Sequence, residues 1–123
     1  MAKILIIDDS WLIRQATLGI LKRNGFDVLI AENGQAGIDI AKSENPDVVI
    51  LDLLMPDLYG LDVLKQLQEA GLQMPVIIMS ADIQDTTQQK CREAKAFDFM
   101  QKPPKEEIVI FKVNKALKER VKP

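Results

Sequence analysis

The sequence of 123 residues predicts an α/β domain built on a doubly wound, five-stranded parallel sheet, for which 2-1-3-4-5 is one of the common strand orders. Short apolar runs rich in β-branched residues alternate five times with longer segments of helical periodicity. The first, third and fourth runs are apolar along most of their length, as expected for strands buried on both faces. The connections are short, so right-handed crossovers place helices on both faces of the sheet.

The predicted strands and helices follow one another in strict alternation. Strands are predicted at 3–7, 26–31, 47–51, 75–79 and 97–100, and helices at 10–24, 34–44, 58–70, 84–94 and 105–121. Capping and turn residues mark many of the boundaries. Ser10 caps the first helix and Asn24-Gly25 ends it, Asn33-Gly34 opens the second, Asn45-Pro46 turns into the third strand, and Gly71 closes the third helix.

The last two predicted helices differ in the apolar surface that they carry. The fourth is polar with a thin apolar edge, which is typical of a mobile, solvent-facing element, and its Cys91 is interpreted as inert. The core-facing stripe of the fifth consists of Val109, Ile110, Val113, Ala116 and Leu117. Ile108 and Phe111 lie off that stripe, and two interpretations stay open: scattered exposed apolar residues, or part of a partner or dimer surface.

Composition excludes several classes of function. The net charge of −2 argues against a general nucleic-acid-binding surface. No apolar run approaches the roughly 18 residues that span a bilayer. The absence of histidine removes imidazole as a base, phosphoryl carrier or metal ligand. With one cysteine and no signal peptide, repeat or linker, we expect a cytoplasmic protein with a single domain over 1–123 and no output domain.

Acidic residues collect where the predicted strands end. Asp8-Asp9 follow the first strand, Asp52 the third, Ser80 the fourth and Lys102 the fifth. Ligands of an open doubly wound sheet bind at the carboxyl ends of the strands, beside the switch point. Three carboxylates meeting there need a cation, and an all-oxygen site suits Mg²⁺ bridging to a phosphoryl oxygen. By themselves Asp8-Asp9 also fit a simple strand end and helix start, but the combination favours a phosphoryl site.

Several motifs occur in order and at characteristic spacing: DDS at 8–10, Asp52 followed by Met55-Pro56, Gly60, Ser80-Ala81, Phe99 and Lys102-Pro103. On these residues the sequence resembles, over essentially its whole length, the receiver domain of two-component response regulators in its single-domain, CheY-like form. The resemblance implies a flavodoxin-like (βα)5 fold with the strand order 2-1-3-4-5. It also implies that Asp52 accepts a phosphoryl group from a sensor histidine kinase or a phosphotransfer protein. Such a protein is a signalling switch that catalyses its own phosphotransfer and slow dephosphorylation, and is not an enzyme in the usual sense.

The resemblance further implies roles for the residues around the acceptor. The implied Mg²⁺ ligands are Asp8, Asp9, Asp52 and the backbone carbonyl of Leu54. Lys102 is directed inward by a cis peptide bond to Pro103, and its positive charge stabilises the negative charge of the phosphoryl group. Ser80 and Phe99 form the switch. The switch remodels the face of the fourth helix, fifth strand and fifth helix, which binds a downstream protein target. The expected state is a monomer or a weak phosphorylation-dependent dimer, without nucleic-acid or membrane partners.

Four positions depart from the pattern of the family. Leu54 stands where many relatives have a polar residue, and it is expected to hinder an attacking water and slow hydrolysis of the phosphate. Asp82, two residues after Ser80, either orients that water or repels an incoming phosphodonor. Lys95 replaces the usual glycine before the fifth strand, so a positive φ there would strain it by roughly 1 kcal/mol. Phe99 replaces a common tyrosine, so the switch ring has no hydroxyl group.

The sequence leaves alternatives open within the receiver function and disfavours two other classes of protein. Within that function, a phosphorelay intermediate and a phosphate sink remain open alternatives. A phosphohydrolase of the haloacid-dehalogenase type would need an acid two residues after the nucleophile, where Leu54 stands, and Asp57 is too far along. A flavin or nucleotide module would need a Ser/Thr/Gly-rich phosphate loop after the first strand, where the acids of DDSWLIR repel phosphate.

Overall fold

The computed structural model describes residues 1–120. The strands are β1 (Lys3–Ile7), β2 (Asp27–Ala31), β3 (Val48–Asp52), β4 (Val76–Ser80) and β5 (Asp98–Gln101). The helices are α1 (Trp11–Arg23), α2 (Gly34–Glu44), α3 (Gly60–Glu69), α4 (Asp85–Glu93) and α5 (Glu106–Arg120). All ten elements lie within two residues of their predicted bounds, and the predicted end of the last helix, residue 121, lies outside the described residues.

The sheet is parallel throughout, in the order β2-β1-β3-β4-β5, which confirms the predicted topology. β1, β3 and β4 are almost entirely buried, whereas the edge strands β2 and β5 are partly exposed. The apolar runs of β1, β3 and β4 therefore reflect burial on both faces of the sheet. The order places the switch point between β1 and β3, the strands that carry the acidic residues.

Each face of the sheet has its own apolar core because side chains alternate along a strand. The first core joins Leu5 and Ile7 of β1 to buried residues of α2, α3 and α4. The second joins Ile4 and Ile6 to buried residues of α1 and α5. Two layers of helices thus hold the strands rigidly and fix where their carboxyl ends lie.

Helix termini follow the predicted capping residues. Ser10 Oγ accepts a hydrogen bond from Ile13 N at 3.3 Å, and Asn33 Oδ1 accepts one from Ala36 N at 2.8 Å. Gly71 has a φ of 79° directly after α3, as a helix stop requires. α3 begins two residues later than predicted, at Gly60, because residues 58 and 59 still belong to the turn that leaves β3.

The two last helices bury what their patterns predict. In α5, Val109, Val113 and Ala116 are buried, while Ile108 and Phe111 are exposed. In α4, Cys91 is the one fully buried side chain of the helix, which fits an inert thiol packed in the core. Among the helices of residues 1–120, none is both long enough and apolar enough to cross a membrane.

Lys95 lies in the left-handed region, with a φ of 65°, so the strained alternative raised by the sequence is the one that occurs. We expect Lys95→Gly to raise the free energy of unfolding by about 1 kcal/mol, because glycine adopts this φ without a Cβ clash. Urea denaturation measures the change. Asn45→Gly is the matched control, since Asn45 has a φ of 45° and asparagine tolerates this region better, so its gain is smaller. A loss of stability in Lys95→Gly would contradict the prediction.

Candidate functional site

Strand register brings four of the predicted site residues to one edge of the sheet. Ile7 of β1 pairs with Leu51 of β3, so Asp8 and Asp52, the next residue of each, lie side by side. Asp52 in turn pairs with Met79 of β4, which places Ser80 one residue beyond the strand partner of Asp52. The backbone N–H of Lys102 donates to the Ser80 carbonyl at 2.9 Å, which continues the ladder past β5. The peptide bond between Lys102 and Pro103 is cis.

Lys102 connects the two buried carboxylates. Its Nζ lies 2.9 Å from Asp8 Oδ2 and 3.0 Å from Asp52 Oδ1. Asp8 is 1% exposed and Asp52 4%, so both charges are almost completely removed from solvent. One ammonium group therefore serves two carboxylates, and the pocket keeps an excess of negative charge.

The Asp8 segment is held from both sides. Its Oδ1 accepts a hydrogen bond from the Ser10 N–H at 2.9 Å, and its carbonyl accepts one from Arg14 Nη1 at 2.8 Å. Arg14 is itself buried, and no pattern in the sequence marks it as part of the site. Among the described residues, Asp8 Oδ2 is the one buried side-chain oxygen without a well-aligned hydrogen bond, since the Lys102 contact is an ion pair of poor alignment.

Three carboxylates can reach a common point. One oxygen from each of Asp8, Asp9 and Asp52 lies within 4.8 Å of the others, with Asp9 on the exposed side. The donor set is entirely oxygen, and it includes the poorly satisfied Asp8 Oδ2. Hard divalent cations prefer such ligands, and Mg²⁺ takes one or two carboxylates and keeps several waters. The residues present therefore fit Mg²⁺.

Burial has the largest effect on the protonation of Asp52. Desolvation raises the pKa of Asp52 to about 6, with a further upward contribution from the Asp8 charge and an opposing one from Lys102. Burial lowers the pKa of Lys102, but its close ion pairs with the Asp8 and Asp52 carboxylates outweigh this and raise the pKa above its ordinary value. Lys102 is thus a permanent cation, and Asp52 is a carboxylate near neutral pH that a second cation would stabilise further.

Comparison with known proteins decides the family. The family model of the response regulator receiver domain matches residues 4–114. The chain belongs to this family. Protein PilH of Pseudomonas aeruginosa is 37% identical over 119 residues, and the match covers 95% of this chain and 98% of PilH.

Solved structures and longer relatives agree with this assignment. The Francisella response regulator 1452 receiver domain superposes with a TM-score of 0.91 at 29% identity, over 97% of this chain and 98% of that one. A cyclic di-GMP phosphodiesterase of Thermotoga maritima is 34% identical, but this receiver domain covers only 32% of its length. Receiver domains accept phosphoryl groups from histidine kinases, act on downstream targets and bind Mg²⁺ at an acidic pocket. The family is one of signalling switches, not of conventional enzymes.

Leu54 lies two residues after Asp52, in the segment between β3 and α3. Its side chain is 64% exposed, and its backbone N lies 3.4 Å from Asp52 Oδ1. The loop that it opens is closed by a hydrogen bond from Gly60 N to the Leu53 carbonyl at 2.6 Å. Leu54 thus presents an exposed apolar side chain from a loop that is closed at its base and whose backbone contacts Asp52.

Ser80 is connected to the start of α4 through Asp82. The Ser80 hydroxyl, 3% exposed, accepts a hydrogen bond from the Asp82 N–H at 3.0 Å. The Asp82 carboxylate accepts from Gln84 N at 3.0 Å and from Thr87 Oγ1 at 2.6 Å. These bonds lower the pKa of the Asp82 carboxyl group, and the bond from Thr87 has the larger effect. Asp82 therefore links the segment after β4 to the first turn of α4, and no pattern in the sequence marks Thr87 as its partner.

Phe99 is half-buried against the first apolar core, as its place in β5 requires. Its carbonyl accepts a hydrogen bond from Lys112 Nζ of α5 at 2.6 Å. The same Nζ lies 3.0 Å from Asp98 Oδ1, which also accepts the Phe99 N–H at 2.7 Å. Lys112 thus links α5 to the backbone at Phe99, so a movement of β5 is transmitted to α5.

Proposed function

We propose that this receiver domain accepts a phosphoryl group on Asp52 from a phosphohistidine of a sensor kinase or phosphotransfer protein, with Mg²⁺ held by Asp8, Asp9, Asp52 and the Leu54 carbonyl. The observation that carries the proposal is that one lysine, Lys102, joins two buried carboxylates, which leaves a site that needs a further cation. A buried phosphoryl-transfer site needs this arrangement of a carboxylate nucleophile beside fixed positive charge.

The chain's own groups account for the transfer. A carboxylate oxygen of Asp52 attacks phosphorus, and the phosphorus–nitrogen bond to the donor histidine breaks as the new oxygen–phosphorus bond forms. Lys102 stays protonated, and its positive charge stabilises the negative charge on the phosphoryl oxygens. Burial of Asp52 excludes bulk water from the reacting carboxylate. When bound, Mg²⁺ supplies the additional positive charge that offsets both the carboxylates and the incoming phosphoryl group.

Ser80 is the group that senses the new phosphate. In the unphosphorylated domain its hydroxyl accepts a hydrogen bond from Asp82 N–H. Turning toward a phosphoryl oxygen would break that bond, loosen the contacts of Asp82 at the start of α4 and open space for Phe99. Because Lys112 ties Phe99 to α5, the change reaches the face of α4, β5 and α5. Exposed Ile108 and Phe111 lie on α5 and suit a downstream protein target or a weak dimer contact.

Incubation with acetyl phosphate and Mg²⁺, followed by intact mass and peptide mapping, tests the proposal. We expect the mass of one phosphoryl group to be added, the adduct to map to the peptide that contains Asp52, and chelation of Mg²⁺ to prevent it. Absence of the adduct from the folded wild-type domain, or its location on another peptide, would overturn the proposal.

Leu54 is expected to prolong the life of the aspartyl phosphate by shielding it from water. Leu54→Asn should shorten its half-life by about 5-fold, which corresponds to about 1 kcal/mol in the activation free energy. Decay of the labelled protein after removal of acetyl phosphate measures the change. Leu12→Asn is the matched control, because Leu12 of α1 is 69% exposed but does not adjoin Asp52 in the chain. An unchanged half-life in Leu54→Asn would sink the idea.

A further inference from the structure

Asp57 joins the loop after the acceptor strand to the start of α2. Its Oδ1 accepts a hydrogen bond from Gly34 N and its Oδ2 accepts one from Gln35 N, each at 3.0 Å. These are N–H groups of the first turn of α2, which have no partner within their own helix. The two bonds lower the pKa of Asp57. A carboxylate from the β3–α3 loop (residues 53–59) therefore caps a helix that lies more than twenty residues earlier in the chain.

The contact is supported by close packing. A Cβ at Gly34 would lie 2.9 Å from Leu58 Cβ and 3.0 Å from Val63 Cγ2, closer than such atoms approach. Gly34 thus lets the loop and α3 lie directly against the start of α2. The base of the loop is closed by the hydrogen bond from Gly60 N to the Leu53 carbonyl. The β3–α3 loop is consequently held at two points: at its base, and at Asp57.

Leu54 lies between these two points. Its N–H faces Asp52 Oδ1, and its carbonyl is the proposed backbone ligand of Mg²⁺. We propose that Asp57 is a positioning residue, which holds the β3–α3 loop so that the backbone of Leu54 is in place for metal binding and phosphoryl transfer. This role rests on the proposed function. Groups that orient metal ligands from outside the site commonly affect metal affinity as strongly as some ligands do.

The simpler alternative is that Asp57 only stabilises α2, and a matched variant separates the two. Asn33→Ala removes another cap of the same helix, the bond from Ala36 N to Asn33 Oδ1, but leaves the loop contact intact. Asp57→Ala removes both loop bonds, whereas Asp57→Asn keeps one acceptor oxygen. We expect Asp57→Ala and Asn33→Ala to lower the urea midpoint to a similar extent.

Metal binding and amide hydrogen exchange then distinguish positioning from stability. We expect Asp57→Ala to weaken Mg²⁺ binding, measured by calorimetry, on the order of 10-fold, with Asp57→Asn between it and the wild type. In the metal-free proteins, exchange at the Leu54 and Gly60 amides should accelerate in Asp57→Ala and not in Asn33→Ala. Labelling by acetyl phosphate should slow in parallel with the loss of Mg²⁺ affinity.

The outcomes are separable. A wild-type domain that neither binds Mg²⁺ nor takes the label overturns the proposed function and the positioning role together. A wild type that is labelled, with Asp57→Ala matching either wild type or Asn33→Ala in Mg²⁺ affinity, overturns the positioning role alone. Faster exchange at Leu54 and Gly60 with weaker Mg²⁺ binding in Asp57→Ala, and neither in Asn33→Ala, supports it.

Discussion

Gly60→Ala is expected to destabilise the receiver domain by about 3 kcal/mol or more. A Cβ at this position would collide with the backbone carbonyl of Asp52 and lie 2.8 Å from Leu53 Cα. Both neighbours are backbone atoms, of the last residue of β3 and of the residue after it, so no side-chain rotation relieves the clash. Either α3 moves away from the sheet or the end of β3 is displaced. Urea denaturation measures the loss, and acetyl phosphate labelling should fall in the fraction that stays folded.

Gly19→Ala is the matched control for this change. Gly19 lies within α1, where an added Cβ meets only the end of the flexible Arg23 side chain, at 3.3 Å. Alanine in a helix interior is favoured over glycine by about 0.5–1 kcal/mol, so this variant should gain stability. The same substitution thus has opposite signs at two sites. A Gly60→Ala protein as stable as the wild type would show that the close approach at Asp52 does not constrain the domain.

Asp52→Asn is expected to abolish labelling by acetyl phosphate and, in the same protein, to stabilise the metal-free fold at neutral pH. Labelling is lost because an amide cannot act as the carboxylate nucleophile. Stability rises because the substitution removes one of two buried carboxylates that share the Lys102 ammonium, while the ion pair with Asp8 remains. Asp62→Asn, at an exposed carboxylate of α3, is the control and should change both properties little.

The stability gained by Asp52→Asn over the wild-type domain depends on pH with a definite sign. The pKa of Asp52 is raised from 3.8 to about 6 in the folded domain, so between these values the folded state binds more protons than the unfolded state. The wild-type domain therefore loses stability relative to Asp52→Asn as pH rises from about 4 to about 6, by at most about 3 kcal/mol. Urea denaturation in chelator across this range tests it. If the difference between the two proteins stays flat with pH, or grows toward acid, the assigned cause is wrong.

Addition of Mg²⁺ should reverse the order of stability, so that the wild-type domain becomes more stable than Asp52→Asn. A ligand that binds only the folded state stabilises it in proportion to the logarithm of its concentration over its dissociation constant. The wild-type domain, with all of its proposed carboxylate ligands, gains more than Asp52→Asn.

The sequence by itself determined the architecture of this domain and the edge at which its chemistry lies. Apolar runs long enough for strands, alternating with helical segments, leave a parallel sheet with helices on both faces as the favoured arrangement. The carboxyl ends of parallel strands meet at one edge, so Asp8, Asp52, Ser80 and Lys102 were predicted to lie together, and they do. Local signals were equally direct at Ser10 and Asn33, whose caps involve residues three positions away.

Only the tertiary structure decided which groups support that edge. Arg14 becomes a partner of the Asp8 carbonyl because α1 folds back on the segment that follows β1, and a buried arginine has no signature in the sequence. Asp57 reads as an ordinary loop acid until the sheet brings the β3–α3 loop against the start of α2. Gly60 belongs to a recognisable motif, but the reason for glycine there is a backbone approach between distant parts of one turn. Such contacts depend on distances between elements, and the pattern of residue types along a chain carries no measure of those distances.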